Sequence, residues 1–433
     1  MRVRVEPKYR PTGEHDEIIV YAGDLAVKVG DVEQTVRGQL ELRLAASPRF
    51  IAHIAGPLSE LHFLGPWAAG SRAVSVPAGA GLAPPTESGL PQSPGRVNVF
   101  DDSITMNELI TMNELKAGDA MAAERFVFHI CGALEARIPL VDVLSGGRQS
   151  QLDFGLPGWD LVIAAVDNRG SERDFGFVIE ATPESSRSSA DVDRLSWRLF
   201  ILLSFMTSRE VGVIPVCGLT KTGEVTWAKW GAPRMRLGKP GVRWCPRDLV
   251  ATAFPAIANG FAALSSDEVM EAVVDRAINH LLAADGSEAL DVRVPIACAG
   301  LEMLGSAVHQ HKGWDMPTNA AQKTRLLLAW AGVSATIPDG FDSLAARSGC
   351  HDIGDGPDVL FGVRNKLIHP PMNMDKWPSP AELQESWQLA NWYLELVVLR
   401  LLGYDGEYWS RLRLGRYGAD LEQVPWANGT HGG

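Results

Sequence analysis

The spacing at which hydrophobic residues recur changes along this chain, and the change limits the possible folds more than any other feature. From about residue 256, apolar residues recur at helical spacing, most clearly in SPAELQESWQLANWYLELVVLRLLG (379–403). Upstream, short apolar or alternating segments are separated by Gly, Pro and Ser, which is typical of strands. We therefore predict an α+β multidomain protein, with a β-rich mixed domain over residues 1–255 and an all-α helical bundle over residues 256–433.

Strands dominate the predicted N-terminal domain. They are EIIVYAGDLAVKV (17–29), GQLELRL (38–44), RFIAHIAG (49–56), ELHFL (60–64), RFVFHICG (125–132), WDLVIAAV (159–166), FGFVIEAT (175–182), VGVIPVCGL (211–219) and GEVTWAKW (223–230). One helix is predicted among them, at 191–206, and residues 77–95 are predicted to be a loop because they are rich in Pro, Gly and Ala. The tandem duplication ITMNELITMNEL (104–115) predicts a tolerant surface segment that could be helical.

The C-terminal domain is predicted to contain helices at 268–285, 292–311, 320–333 and 379–403. In the first of them, helical spacing predicts one buried face formed by Val269, Val273, Ala277 and Leu281. In the last, the apolar stripe comprises Leu383, Trp387, Ala390, Leu394, Val397 and Leu401. These helices are long enough to bury a shared core.

Composition restricts the function classes. The formal net charge of −12 argues against a protein that wraps broadly around nucleic acid, although a local basic patch is compatible with it. Five cysteines are scattered without a CxxC pair, which favours a reduced cytoplasmic protein over a disulfide framework or a zinc ribbon. The N-terminus lacks the apolar core of a secretory signal, and the longest apolar run is too short to span a bilayer. We therefore expect no membrane association.

The segment FGVRNKLIHPP (361–371) is the main candidate site. A helix is predicted to begin near Pro357, with Gly356 and Asp355 as candidate caps, and to end before Pro370. Its inward face is predicted to hold Leu360, Val363 and Leu367, and its polar face Asp358, Gly362, Asn365 and His369, with Arg364 at the edge. Arg can clamp a phosphate and His can transfer a proton near neutral pH. The competing interpretation is an ordinary polar helix face.

The sequence Arg364-Asn365-Lys366-Leu367-Ile368-His369, followed by Pro and a long helix, resembles the Arg–x4–6–His motif of the HEPN superfamily, and in particular Apea-like HEPN proteins. The resemblance extends over about residues 260–415. It implies a metal-independent endoribonuclease that needs no cofactor and is formed by a homodimer of the bundle.

The resemblance also implies a role for each motif residue. Arg364 would hold the scissile phosphate, His369 would act as general acid or base, and Asn365 would orient His369. The implied setting is prokaryotic anti-phage defence or toxin-type growth arrest, with a phage or cellular trigger bound by the N-terminal domain. The alternative is a non-catalytic HEPN-like module that binds nucleotides or other proteins.

A second candidate is the basic segment VTWAKWGAPRMRLGKPGVRWCPR (225–247). Its interleaved Trp and basic residues suit single-stranded RNA, and Lys229, Arg234, Arg236 and Lys239 are the predicted contacts. The competing and preferred interpretation is a hairpin whose indoles, Trp227, Trp230 and Trp244, pack in the protein interior.

No metal site is predicted. His309, His311, Cys350, His351, Asp352 and Asp355 could be considered as ligands, but their spacing matches no strong zinc signature. Glu302 could face the motif cleft and is left out of the catalytic set, because it could equally be solvated.

Overall fold

A computed structural model describes residues 17–29, 32–43, 49–54, 72–75, 104–106, 114–131, 151–165, 177–231, 244–245, 249–286, 289–351, 354–412 and 421–427. The predicted α+β multidomain class is confirmed: strands fill the N-terminal region and helices the C-terminal region. Within the described residues, no helix combines the length and the apolar character needed to span a membrane.

The strands are β1 (Glu17–Val29), β2 (Val32–Arg43), β3 (Arg49–Ile54), β4 (Arg72–Ser75), β5 (Ile104–Met106), β6 (Glu114–Gly118), β7 (Arg125–Cys131), β8 (Gln151–Leu156), β9 (Trp159–Ala165), β10 (Phe177–Pro183), β11 (Gly212–Leu219), β12 (Val225–Gly231), β13 (Glu407–Trp409) and β14 (Leu421–Gln423). They form a five-stranded sheet of order β4-β1-β2-β3-β5, a seven-stranded sheet of order β6-β12-β11-β7-β10-β9-β8, and the pair β13-β14.

The seven-stranded antiparallel sheet has its most buried strands in the middle. Every residue of β11 is buried, as expected for a nearly continuous apolar run in a central strand. The register of β7 and β10 places Phe128 opposite Ile179, and both side chains are fully buried. Cross-strand apolar pairs of this kind stabilise a sheet and fix its register.

The helices are α1 (Ser189–Thr207), α2 (Val250–Leu264), α3 (Glu268–Gly286), α4 (Leu290–Lys312), α5 (Ala320–Ala331), α6 (Asp342–His351), α7 (Gly356–Ile368) and α8 (Pro380–Leu401). A capping box starts α8, because Ser379 accepts from the Glu382 backbone N–H and Glu382 accepts from the Ser379 backbone N–H. The helix α8 is buried on all sides from Leu389 to Leu399, so it is the central helix of the bundle.

The structure corrects several predictions. Val269 is 71% exposed, and the buried face of α3 instead runs through Met270, Val274, Ala277 and Ile278. The tandem duplication contributes β5 and the start of β6, so its helical prediction is wrong for these residues. The strand predicted at 60–64 and the loop predicted at 77–95 lie outside the described residues.

The described residues divide into two compact units. The second unit begins at residue 240 and also takes in residues 154–157 and 201–209. The predicted boundary between residues 255 and 256 falls inside α2, because this helix begins at Val250.

Candidate functional site

The candidate site lies on α7, whose start is fixed by a charged clamp. The Asp355 carboxylate caps the helix by accepting from the Asp358 backbone N–H at 3.3 Å. The Arg325 guanidinium donates to Asp355 Oδ1 at 2.9 Å and to Asp358 Oδ2 at 2.6 Å. Partial burial would raise the pKa of Asp355, but the hydrogen bonds and charge of Arg325 outweigh it and hold that pKa below its ordinary value.

One face of α7 enters the bundle core. Leu360 and Val363 are fully buried and Leu367 is half-buried, in agreement with the predicted inward face. Phe361 is buried as well, although the sequence analysis did not place it inside. The core therefore holds the helix in one rotational position, which fixes the direction of its polar face.

The helix ends immediately before the motif histidine. Ile368 is the last helical residue, and His369 has φ −122° and ψ 74°. Its backbone N–H still donates to the Asn365 carbonyl oxygen at 2.8 Å, while its side chain is exposed. Pro370 follows and cannot continue the helix. The imidazole thus stands at an open helix end.

Arg364 lies between the core and the polar face. Its Nη1 donates to Asn365 Oδ1 at 3.0 Å, so the two motif residues are joined directly. Its Nε is buried, and within the described part of the chain it has no hydrogen-bond partner. In this single copy, the Asn365 amide oxygen therefore contacts Arg364.

The helix α4 packs against α7. Burial raises the pKa of the Cys298 thiol on α4 to about 12, while the charge of Arg364 lowers this pKa and the charge of Glu302 raises it. The charges of Arg364 on α7 and Glu302 on α4 thus act on the same buried thiol. The sequence offered a signal for this, because Glu302 follows Cys298 by one helical turn and shares its face.

Gly362 leaves a gap on the exposed side of α7. A Cβ atom built at this position would meet nothing within 4 Å. The gap lies on the same helix face as Asn365 and has room for another molecule.

Two lysines extend the polar face toward the following loop. Burial lowers the pKa of Lys366, the charges of Arg347 and Lys376 lower it further, and Glu382 opposes them. Lys376 belongs to the loop of residues 370–378, which also carries the half-exposed Trp377. Sequence reasoning missed this group, although MNMDKWP directly follows the motif.

The structure describes only part of the second candidate segment, residues 225–247. Lys229 forms a 2.6 Å ion pair with Asp193 on α1. Arg234, Arg236 and Lys239 lie outside the described residues. The three indoles are at most 2% exposed, so none presents a face for base stacking; they are Trp227, Trp230 and Trp244.

The residues considered as metal ligands have other contacts. His309 is buried and its Nδ1 lies 2.7 Å from the Gly305 carbonyl oxygen. His311 pairs with Asp267 at 3.3 Å. Asp352 and the side chains of Cys350 and His351 lie outside the described residues. Among the residues that the structure describes, no group of three His, Cys, Asp or Glu residues could hold a metal ion.

Comparisons with known proteins place a family match on this bundle. The model of the YopA C-terminal domain matches residues 267–422, which include α3 to α8 and the motif. The SPbeta prophage-derived uncharacterized protein YopA of Bacillus subtilis (strain 168) is 27% identical over 248 residues, 54% of each chain. The chain therefore spans about half the length of this curated relative. No solved structure matches.

Proposed function

We propose that this protein is a metal-independent endoribonuclease of the HEPN type, in which two copies of the bundle form one RNA-cleaving cleft. The observation that carries the proposal is the arrangement at the end of α7. The Arg364 guanidinium is joined to Asn365, and the His369 imidazole is exposed beside them on a surface left open by Gly362.

These side chains suit attack by the RNA 2′-hydroxyl group. A base takes the 2′-hydroxyl proton, the 2′-oxygen bonds to phosphorus, and the bond to the 5′-oxygen breaks as this oxygen receives a proton from an acid. His369 can serve as the base or the acid, and Arg364 can stabilise the charge that develops on the phosphate.

A second copy is part of the proposal because one motif has a single imidazole for two proton transfers. An isologous dimer would bring two His369 side chains to one scissile bond.

The proposed setting is the bacterial cytoplasm, in anti-phage defence or toxin-type growth arrest. Similarity to a prophage-derived protein supports a role in conflict between phages and their hosts. The β-rich N-terminal region would then bind a phage or cellular trigger that releases the nuclease.

A non-catalytic module that binds nucleotides or another protein is the second candidate. The contact of Asn365 favours it, because the amide oxygen accepts from Arg364 and, among the described residues, no hydrogen bond joins the Asn365 side chain to the His369 ring. The nuclease needs such a contact to form on dimerisation or RNA binding, whereas a binding module would not need it.

The test is cleavage of labelled RNA in the presence of EDTA by the purified full chain. We expect cleavage by the wild type, and a loss of at least about 100-fold in His369→Ala and in Arg364→Ala, which is the lower range for general acid-base catalysis. The matched control is His311→Ala, because His311 is an exposed histidine elsewhere in the bundle. Equal cleavage by wild type and His369→Ala would refute the proposal.

A further inference from the structure

The loop after the motif, residues 370–378, holds an aromatic ring in a fixed place. The Trp377 indole N–H donates to the Pro371 carbonyl oxygen at 3.0 Å, and the side chain remains 45% exposed. The backbone is also ordered by a short 3-10 turn, Met374–Lys376, which Asn373 caps. A buried tryptophan would only stabilise the loop, but this one keeps nearly half of its surface accessible.

Two lysines belong to this part of the surface. Lys376 is the neighbour of Trp377 in sequence, and Lys366 lies near enough to Lys376 for each charge to oppose the other. Neither lysine forms an ion pair within the described part of the chain. Glu382 is less available to pair with these lysines, because it is bound to Arg347 and to the Ser379 backbone N–H. Asp375 is then the local opposing charge.

This combination is what single-stranded nucleic acid recognises. Bases stack on aromatic rings whatever their sequence, and lysines neutralise the phosphates between them. Duplex RNA fits less well, because its bases are already stacked on one another. Met372 and Met374, in the same loop, are also exposed and add apolar surface to it.

We propose that Trp377, Lys366 and Lys376 form a binding platform for single-stranded RNA next to the His369 end of α7. Trp377 stacks on one base, and the two lysines bind the adjoining phosphates. Where this platform is taken to bind the substrate of the nuclease, the inference rests on the proposed function. The substrate class is then unpaired RNA. The platform itself can be tested without cleavage.

The experiment measures binding of a fluorescein-labelled oligouridylate of about 12 nucleotides, within the usual site size of such proteins. The full chain carries His369→Ala so that RNA stays intact. We expect Trp377→Leu to weaken binding by at least about five-fold and Trp377→Phe to retain most of it, because stacking needs a ring and not only apolar area. We also expect Lys366→Gln with Lys376→Gln to lower the salt dependence by about 1.4 on a log–log scale, about 0.7 for each phosphate contact with a single strand.

The chain offers a matched control at the C-terminal end of α4. Lys312, the last residue of that helix, and the 40% exposed Trp314 repeat the Lys-aromatic combination without the motif beside it. Lys312→Gln with Trp314→Leu should leave binding unchanged, and thermal unfolding checks that every variant is folded. A duplex of the same length should bind more weakly than the single strand.

The outcomes separate this inference from the nuclease itself. If Trp377→Leu weakens binding while no RNA is cut by the wild-type site, the platform stands and the nuclease fails. If His369-dependent cleavage occurs but Trp377→Leu binds and cuts like wild type, the nuclease stands and the platform is wrong. If Trp377→Leu alters the oligomeric state and leaves RNA binding intact, the loop is a protein contact and the platform is likewise overturned.

Discussion

Replacing Arg411 by Met should lower the free energy of unfolding of the bundle more than any surface substitution does, because Arg411 is the centre of a buried ionic network. Its Nη1 and Nη2 donate to the two Asp285 carboxylate oxygens at 3.0 and 2.7 Å, and its Nε donates to Glu395 Oε2 at 2.8 Å. Asn391 also donates to Asp285 at 2.8 Å. The network joins the end of α3, the middle of α8 and the segment after β13.

The magnitude follows from burial. The side chains of Arg411, Asp285 and Glu395 are at most 4% exposed. Burial alone would lower the pKa of Arg411, but the two carboxylates outweigh it and raise this pKa above its ordinary value. Removing the cation leaves two carboxylates buried without it, which costs about 3–5 kcal/mol of unfolding free energy. For a unit of this size the melting temperature should fall by roughly 6–20 °C.

Urea titration followed by far-UV circular dichroism measures this change, because the C-terminal region contains most of the described helices. Arg411→Lys should recover only part of the loss, since an ammonium group cannot reproduce the two-pronged contact with Asp285. The matched control is Lys221→Met, which removes an exposed 3.6 Å pair with Glu124 and should cost less than about 1 kcal/mol. A loss below about 1 kcal/mol for Arg411→Met would refute the reasoning.

Two further predictions concern α7. Gly362→Ala should raise bundle stability by about 0.5–1 kcal/mol, because the new methyl group meets open space. Gly356→Ala should lower bundle stability, because its methyl group would clash with the Tyr393 hydroxyl group. Thermal unfolding of the two variants measures both effects. Asp355→Ala should cost about 1 kcal/mol at pH 7 through the lost cap. Because the folded pKa of Asp355 is lowered, the stability it contributes is present above the unfolded value of about 3.9 and is lost as pH falls through the folded pKa, so urea titrations of wild type and variant should converge below about pH 4.

Local signals predicted α7 well because the residues that determine it are close in sequence. Asp355 caps the helix, Pro370 follows its end, and Leu360 and Val363 lie on one face. The buried face predicted for α3 was wrong at the start of the helix, and the reason is equally local. A stripe through Val269 and one through Met270 share the later positions Ala277 and Leu281, so periodicity alone does not separate them.

The ionic network could not be predicted from local patterns. Asp285 and Arg411 are 126 residues apart, and their pairing depends on how α3 and the segment after β13 pack. The spacing of α8 predicted one apolar stripe, but its central position buries polar residues such as Asn391 and Glu395 as well. Such side chains look like an exposed face in sequence, because their partners are distant.

The charge of the whole chain sets the conditions under which the proposed RNA platform can work. With a net charge of −12, the protein repels a polyanion at distances within the Debye length, about 8 Å at physiological ionic strength. Long-range attraction therefore cannot supply the affinity. Stacking on Trp377 is short-ranged and insensitive to net charge. The expected result is weak overall salt dependence together with strong dependence on one ring, the opposite of a protein that binds RNA through a broad basic surface.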